Sequence, residues 1–275
     1  MIWTPGAPLT LRAGGATLEA RCFGPAPDRA PTLVLLHEGL GSVGLWRDFP
    51  ERLAGATGFG VFAYSRRGYG ASDPVPLPRP LDYMTREAVD VLPEALDGFG
   101  FRRGVLLGHS DGASIAALYL GNIADHRVRG LILMAPHFFT EAVGLDAIAK
   151  ARVAYREGDL RARLARHHRD VDSAFRGWND AWLDPGFAQW TIEDAIDYIR
   201  VPVLAIQGRA DQYGTLAQIG ALERRLYAPF ESLVLDGCGH APFIERPEET
   251  LAAVAAFLAR IERFEAAGAV GAPAP

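Results

Sequence analysis

Val105-Leu106-Leu107-Gly108-His109-Ser110-Asp111-Gly112 is an apolar run that ends in a serine with a glycine two residues to either side. A serine carried on a tight strand-to-helix turn leaves no room for a bulky side chain two residues before or after it, which accounts for Gly108 and Gly112. Such a turn lifts the Ser110 hydroxyl above a sheet. It also aims the first N–H groups of the following helix at the place where negative charge develops on an attacked carbonyl. A G-x-S-x-G string by itself matches many ordinary turns. Here an apolar strand precedes it, and Ala113-Ser114-Ile115-Ala116-Ala117-Leu118 follows, small enough for a helix packed closely on a sheet. The chain therefore centres on a strand, an elbow and a helix, and a reactive serine there requires a base and an acid from elsewhere.

Strands alternate with helices on both sides of this elbow. Residues 9–12 and 16–20 alternate around Gly14-Gly15 and read as a hairpin at a sheet edge. Residues 32–37, 61–64 and 131–134 are continuous apolar runs, the pattern of parallel strands buried on both faces. Beyond Ala135-Pro136-His137-Phe138-Phe139 the alternation stops. Residues 140–198 are helical in pattern and rich in tryptophan, and strand signals resume only at 201–206 and 232–235. A last helix places Leu251, Val254, Phe257, Leu258 and Ile261 on one face. The expected class is α/β, a mostly parallel, doubly wound sheet of about eight strands with an inserted helical cap. Residues 1–139 and 199–265 would form the core and 140–198 the cap. The Ala/Gly/Pro stretch 266–275 has nothing to bury and is expected to be a disordered tail.

At 275 residues, 49% apolar and 22% charged, the chain has the composition of a soluble globular enzyme. Its net charge of -5 offers no general attraction for nucleic acid or an anionic membrane, so the expected partner is a small-molecule substrate. Cys22 and Cys238 lie far apart, the first five residues lack the features of a signal peptide, and no apolar run reaches membrane-spanning length. A reduced, cytoplasmic protein is the simplest reading. His167 and His168 near Asp170 and Asp172 are expected to form a solvated surface rather than a metal site, because adjacent histidines point to different sides of a helix. His168 also falls in the stripe Leu160, Leu164, His168, Val171, Phe175, Trp178 and Trp182, whose helical spacing is usually that of a face packed on a core. No metal and no cofactor are expected, and oligomeric state is left open.

In a doubly wound sheet functional groups gather at the carboxyl ends of strands. Asp211 follows the strand at 201–206, and His240 follows the one at 232–235. Asp73, Asp170, Asp172 and Asp236 are rival acids; Asp236 ends the last strand but stands too near His240 in sequence. Cys238, beside His240, reads as structural because a serine already occupies the elbow. Trp178, Trp182 and Trp190 are the cap residues expected to roof a pocket, since apolar pockets use large aromatics and a cap has little core of its own. Phe138, directly beyond a strand's carboxyl end, is expected to join them.

Together His37-Glu38-Gly39-Leu40-Gly41-Ser42, Arg67-Gly68-Tyr69-Gly70-Ala71-Ser72, Gly108-His109-Ser110-Asp111-Gly112, Gly208-Arg209-Ala210-Asp211 and Gly239-His240-Ala241-Pro242 make the chain resemble the capped α/β-hydrolases from residue 9 to 264. The resemblance implies a triad of Ser110, His240 and Asp211, in the chain order Ser-Asp-His usual for that fold. It also implies an oxyanion hole made of the backbone N–H groups of Gly39 and Asp111. Relatives usually have His-Gly-X where this chain has His37-Glu38-Gly39, and often aspartate where it has Ser65. The G-x-S-D-G elbow resembles that of the biphenyl-hydrolase-like group, which includes valacyclovir hydrolase, and the chain is also similar to carboxylesterases. In the former group the aspartate holds a substrate amino group, which implies that Asp111, with Glu38 in the pocket, favours a cationic acyl group. The implied activity is cofactor-independent hydrolysis of an ester or similar acyl bond of a small, largely apolar substrate through an acyl-enzyme on Ser110. Carbon–carbon hydrolases, acyltransferases and cofactor-free perhydrolases use similar groups, whereas haloalkane dehalogenases carry aspartate at the elbow. From a different class, a small-molecule receptor on the same fold is distinguished by stoichiometric binding without turnover.

Overall fold

The apolar runs all enter one eight-stranded sheet in the computed structural model, which describes residues 2–270 and the side chains of 2–267. Its strands are β1 (Pro8–Ala13), β2 (Ala16–Phe23), β3 (Thr32–Leu36), β4 (Gly60–Tyr64), β5 (Gly104–His109), β6 (Val128–Met134), β7 (Val203–Gly208) and β8 (Phe230–Leu235). They lie in the order β1-β2-β4-β3-β5-β6-β7-β8. The expected edge hairpin is β1 with β2, antiparallel, and β2 is also antiparallel to β4. Every other pair is parallel.

Continuous apolar strands imply two covered faces, and the side chains divide accordingly. Val34 and Leu36, Leu106, and Leu131 and Leu133 enter one core. Leu33 and Leu35, Val105 and Leu107, and Ile132 and Met134 enter the other, as a period of two residues requires. The helices Leu92–Phe99, Asp111–Asn122 and Ala217–Arg225 bury side chains in the first core. Phe49–Thr57 and the last helix, with Val254, Phe257, Leu258 and Ile261, bury theirs in the second.

From β3 the chain crosses to β4 on one side, then returns past β3 to β5 on the other. Strand order reverses there, and a crevice opens at the carboxyl ends of β3 and β5, the usual ligand position of such sheets. Between β6 and β7 come the helices Ala142–Glu157, Leu160–Leu164, Val171–Trp182 and Glu193–Ile196.

Two expectations are corrected. His168 is not on a solvated surface: it is 5% exposed, its Nδ1 accepts from the Gly70 amide at 3.0 Å, and its Nε2 donates to the Leu40 carbonyl at 2.9 Å. Burial, the largest influence, lowers its pKa. A neutral ring thus ties the insertion to two loops of the sheet. The tail expected from 266 is helical as far as Val270, since the alanine-rich end of Pro247–Val270 propagates a helix already nucleated on the core; residues 271–275 lie outside the described residues. Among the described residues no helix is long and apolar enough to cross a membrane.

Candidate active site

Ser110 follows β5 directly with φ 54° and ψ −121°, a conformation non-glycine residues rarely adopt and that functional sites concentrate. Two contacts hold it: its amide donates to the Met134 carbonyl at 2.9 Å, and its carbonyl accepts from the Ala113 amide at 2.8 Å. The flanking glycines are required sterically. A Cβ on Gly108 would collide with the Gly112 carbonyl, and one on Gly112 with the Leu36 carbonyl. Asp111 is the first residue of the helix Asp111–Asn122, so its N–H is among those with no intrahelical partner.

His240 and Asp211 meet from the loops after β8 and β7. His240 Nδ1 lies 2.9 Å from Asp211 Oδ1 and 2.8 Å from Oδ2. The same carboxylate accepts from the Tyr213 amide at 2.8 Å and from Gln207 Nε2 at 2.8 Å. Burial pushes the Asp211 pKa upward, but the hydrogen bond and charge of His240 more than offset this and hold it below the usual carboxylate range. With Nδ1–H donated to Asp211, neutral His240 presents its Nε2 lone pair. The rival acids lie elsewhere: Asp236 is exposed and paired with Arg209 at 2.6 Å, Asp170 caps the helix Val171–Trp182, Asp172 pairs with Arg161, and Asp73 accepts from the Thr17 amide.

Ser110, Asp111, Gly39, Glu38 and His240 line one cavity of about 120 Å³. Trp178 and Trp182 of the insertion line it too, as expected of a roof. Trp178 comes so near Gly39 that a Cβ there would overlap its indole, which explains the glycine. Phe138 and Trp190 are not lining residues. Ala135, at φ 47°, turns the chain after β6, so His137 faces the cavity while Phe138 is fully buried in the core. Trp190 stands behind Trp182, stacked on Phe187 with centroids 5.0 Å apart. Leu40, Ile148, Tyr213 and His137 complete the wall. Sequence reasoning missed these four; for His137 the signal was its place just beyond a strand's carboxyl end.

Both acids of the cavity are tied into the protein. Glu38 Oε2 is 3.5 Å from His109 Nδ1, and His109 Nε2 donates to the His240 carbonyl at 2.6 Å. Burial raises the Glu38 pKa, but His109 outweighs it and the net direction is down. Asp111 is 1% exposed, and its Oδ2 accepts from the Tyr83 hydroxyl at 2.5 Å. That hydroxyl in turn accepts from Trp182 Nε1 at 3.1 Å. Asp111 Oδ1 has no partner among the described residues, and burial pushes this carboxyl's pKa up despite the nearby Arg66 charge. No cluster of three or more metal-ligating side chains occurs among the described residues.

A family model described as "Alpha/beta hydrolase family" matches residues 33–254. The pimeloyl-[acyl-carrier protein] methyl ester esterase of Aeromonas salmonicida is 28% identical over 266 residues, covering 86% of this chain and 97% of that protein. Epoxide hydrolase B of Mycobacterium tuberculosis is 33% identical over 106 residues, covering 38% of this chain and 29% of that protein. Among solved structures, a 2-hydroxy-6-oxo-6-phenylhexa-2,4-dienoate hydrolase from Rhodococcus superposes with TM-score 0.76 at 20% identity over 94% of this chain and 98% of its own. Proline iminopeptidase from Mycobacterium smegmatis does so with TM-score 0.74 at 19% identity, over 94% and 100%.

Proposed function

The chain belongs to the alpha/beta hydrolase family, and on that premise we propose that it is a serine hydrolase cleaving an ester, or related acyl bond, of a small and largely apolar substrate. The observation that supports this most is the strained Ser110 sharing one cavity with a His240 already hydrogen-bonded to Asp211. Ser110 Oγ attacks the carbonyl carbon while its proton passes to His240 Nε2, and the N–H groups of Gly39 and Asp111 receive the carbonyl oxygen as charge builds on it. Collapse breaks the bond to the alcohol, which leaves with the proton from His240. Water then attacks the acyl-enzyme, again giving its proton to His240, and the acid departs with Ser110 restored. Asp211 orients the ring and balances the imidazolium. Apart from the attacking water, each step uses groups of this chain.

A cavity of about 120 Å³ is well below the range of drug-sized pockets, and Leu40, Ile148, Trp178 and Trp182 make its walls apolar. A compact substrate follows. The methyl ester named for the Aeromonas relative is chemistry of the same type.

Steady-state hydrolysis of p-nitrophenyl esters of graded acyl length, wild type beside Ser110→Ala, tests the reading. Short esters should turn over, and the substitution should lower kcat by at least about 10³-fold, since removing the serine of a triad costs up to about 10⁶-fold. Undiminished turnover in Ser110→Ala would refute it. Folded wild-type protein that leaves every ester intact but cleaves a ring-cleavage dienoate would be a carbon–carbon hydrolase; stoichiometric binding without turnover would indicate a receptor. An amino-acyl ester preferred over its neutral match, with the preference lost in Asp111→Asn, would assign Asp111 to a substrate amine.

A further inference from the structure

We infer that His137 is a hydrogen-bonding subsite of the cavity, which fixes a neutral oxygen substituent, a hydroxyl or a carbonyl, on the substrate beside the scissile bond. The inference rests on the serine-hydrolase reading and deepens it. The His137 backbone is clamped on both sides: its carbonyl accepts from Ser114 Oγ at 2.6 Å, and the next amide donates to Gln218 Oε1 at 2.7 Å. The ring is thereby directed into the cavity with little freedom. Its centroid is 5.7 Å from the His240 ring and 5.3 Å from Trp182, so it stands between the proposed base and the aromatic roof. Unlike His109, whose Nε2 donates to the His240 carbonyl, and His168, whose two nitrogens bond Gly70 and Leu40, the His137 ring nitrogens make no hydrogen bond among the described residues.

A polar ring without a protein partner that opens on the cavity is left to water until a substrate group that can hydrogen-bond takes its place. The ring also keeps one protonation state: burial, then the charge of His240, pushes its pKa down to about 3. At neutral pH it is an uncharged imidazole, with one N–H donor and one lone pair. Glu38 and Asp111 line the same cavity and Arg66 lies behind it, so an anionic substituent would meet carboxylates without a lining cation. A cationic substituent would be drawn to those carboxylates rather than to a neutral ring. A neutral hydroxyl or carbonyl oxygen is the group this site suits.

The test compares wild type, His137→Phe and His137→Gln on two matched ester pairs. The acyl pair is p-nitrophenyl 3-hydroxybutyrate with p-nitrophenyl butyrate, and the alcohol pair, followed by pH-stat, is 2-hydroxyethyl acetate with propyl acetate. His137→Phe should lose about tenfold in kcat/KM on the hydroxylated member of one pair and not on its alkyl match, with His137→Gln recovering part of that loss. A merely structural role would lower both members equally; equal losses, or no selective loss in either pair, overturn the proposal. Thermal melting of both variants verifies folding, and His137→Gln keeps the comparison open should the phenylalanine disturb it. If wild type hydrolyses the alkyl esters without any effect of His137, only the subsite is lost. If wild type hydrolyses none of the four, the serine-hydrolase reading fails and the subsite with it.

Discussion

Asp211→Asn probes the reaction scheme with almost no change of shape. Three donors reach Asp211: Tyr213 N, Gln207 Nε2 and His240 Nδ1, the last shared between the two carboxylate oxygens. Asparagine must place an N–H where one of those oxygens stood. If the amide replaces Oδ2 it also meets Gln207 Nε2, which the Gly214 carbonyl holds in place at 3.1 Å; if it replaces Oδ1 it meets the Tyr213 amide. In either orientation the new N–H confronts His240 Nδ1 at about 2.8 to 2.9 Å. Two donors cannot share that contact, so the ring is driven to carry its proton on Nε2 and can no longer take one from Ser110. The carboxylate that balances the imidazolium is lost as well, a term of about 4 kcal/mol for charges 4 Å apart at an effective dielectric of 20. Tautomer and charge together should lower kcat about 10⁴-fold, close to 5 kcal/mol of barrier. The assay is p-nitrophenyl ester turnover with circular dichroism and urea unfolding as folding controls. Folded Asp211→Asn protein within tenfold of wild type would refute Asp211 as the orienting acid.

Three further outcomes follow from other contacts. Tyr83→Phe removes the donor to Asp111 Oδ2 while Oδ1 already lacks one, leaving a buried carboxyl unsatisfied; urea unfolding should show a loss of about 1–3 kcal/mol, and a loss under about 0.5 kcal/mol would contradict the contact. Gly112→Ala forces a methyl against the Leu36 carbonyl on the central strand, so about 1–3 kcal/mol of stability should disappear together with activity, and an active, equally stable variant would show that the elbow can relax. Asp211 and Glu38 have folded pKa values below their ordinary range, so the stability they contribute is present above the ordinary carboxylate pKa and is lost as pH falls through the folded values. The wild-type urea midpoint should therefore fall more steeply below about pH 4 than that of Asp211→Asn, and parallel curves would be the contrary result.

Parallel, doubly buried strands announce themselves as apolar runs, and a strained elbow requires glycines. That is why the sheet, its edge hairpin and Gly108-His109-Ser110-Asp111-Gly112 were legible from residues alone. Strand ends also pointed to Asp211 and His240, because topology brings carboxyl ends together whatever the loops do. The cavity wall was legible only in part. Trp178 and Trp182 sit on the inner face of a regular helix, where spacing predicts direction. Phe138 and His137 exchange places because Ala135 takes a positive φ, which no periodicity records. His168 reads as surface because its partners, Gly70 and Leu40, are remote in sequence. Backbone turns and long-range polar ties decide such positions, and neither leaves a local pattern.

The departure at Glu38 has a structural counterpart in Arg66. The Arg66 guanidinium donates to the carbonyls of both His37 and Glu38, the latter at 3.0 Å, while His37 Nδ1 donates to the same Glu38 oxygen at 2.7 Å and its Nε2 accepts from the Arg66 amide at 3.0 Å. Arg66 is 1% exposed, and Asp111 is among the groups that help it hold its charge against burial. In a planar trans peptide the N–H points opposite the carbonyl. Three donors grip the Glu38 carbonyl, Arg66, His37 Nδ1 and the Gly41 amide at 3.1 Å, and so turn the Gly39 N–H the other way, on the side of a loop whose Gly39 lines the cavity with Ser110. On the serine-hydrolase reading Arg66 is thus a positioning residue for the oxyanion hole. Arg66→Met should lower kcat by more than tenfold, part of the 10²–10³ for losing such a donor, with KM little changed. Affinity for a trifluoromethyl ketone, which forms an oxyanion on Ser110, should fall in parallel, while affinity for the product alcohol should not. Arg66→Lys should restore little, because one ammonium cannot span two carbonyls as the planar fork does. Equal weakening of ketone and alcohol in folded Arg66→Met would reduce the role of Arg66 to packing.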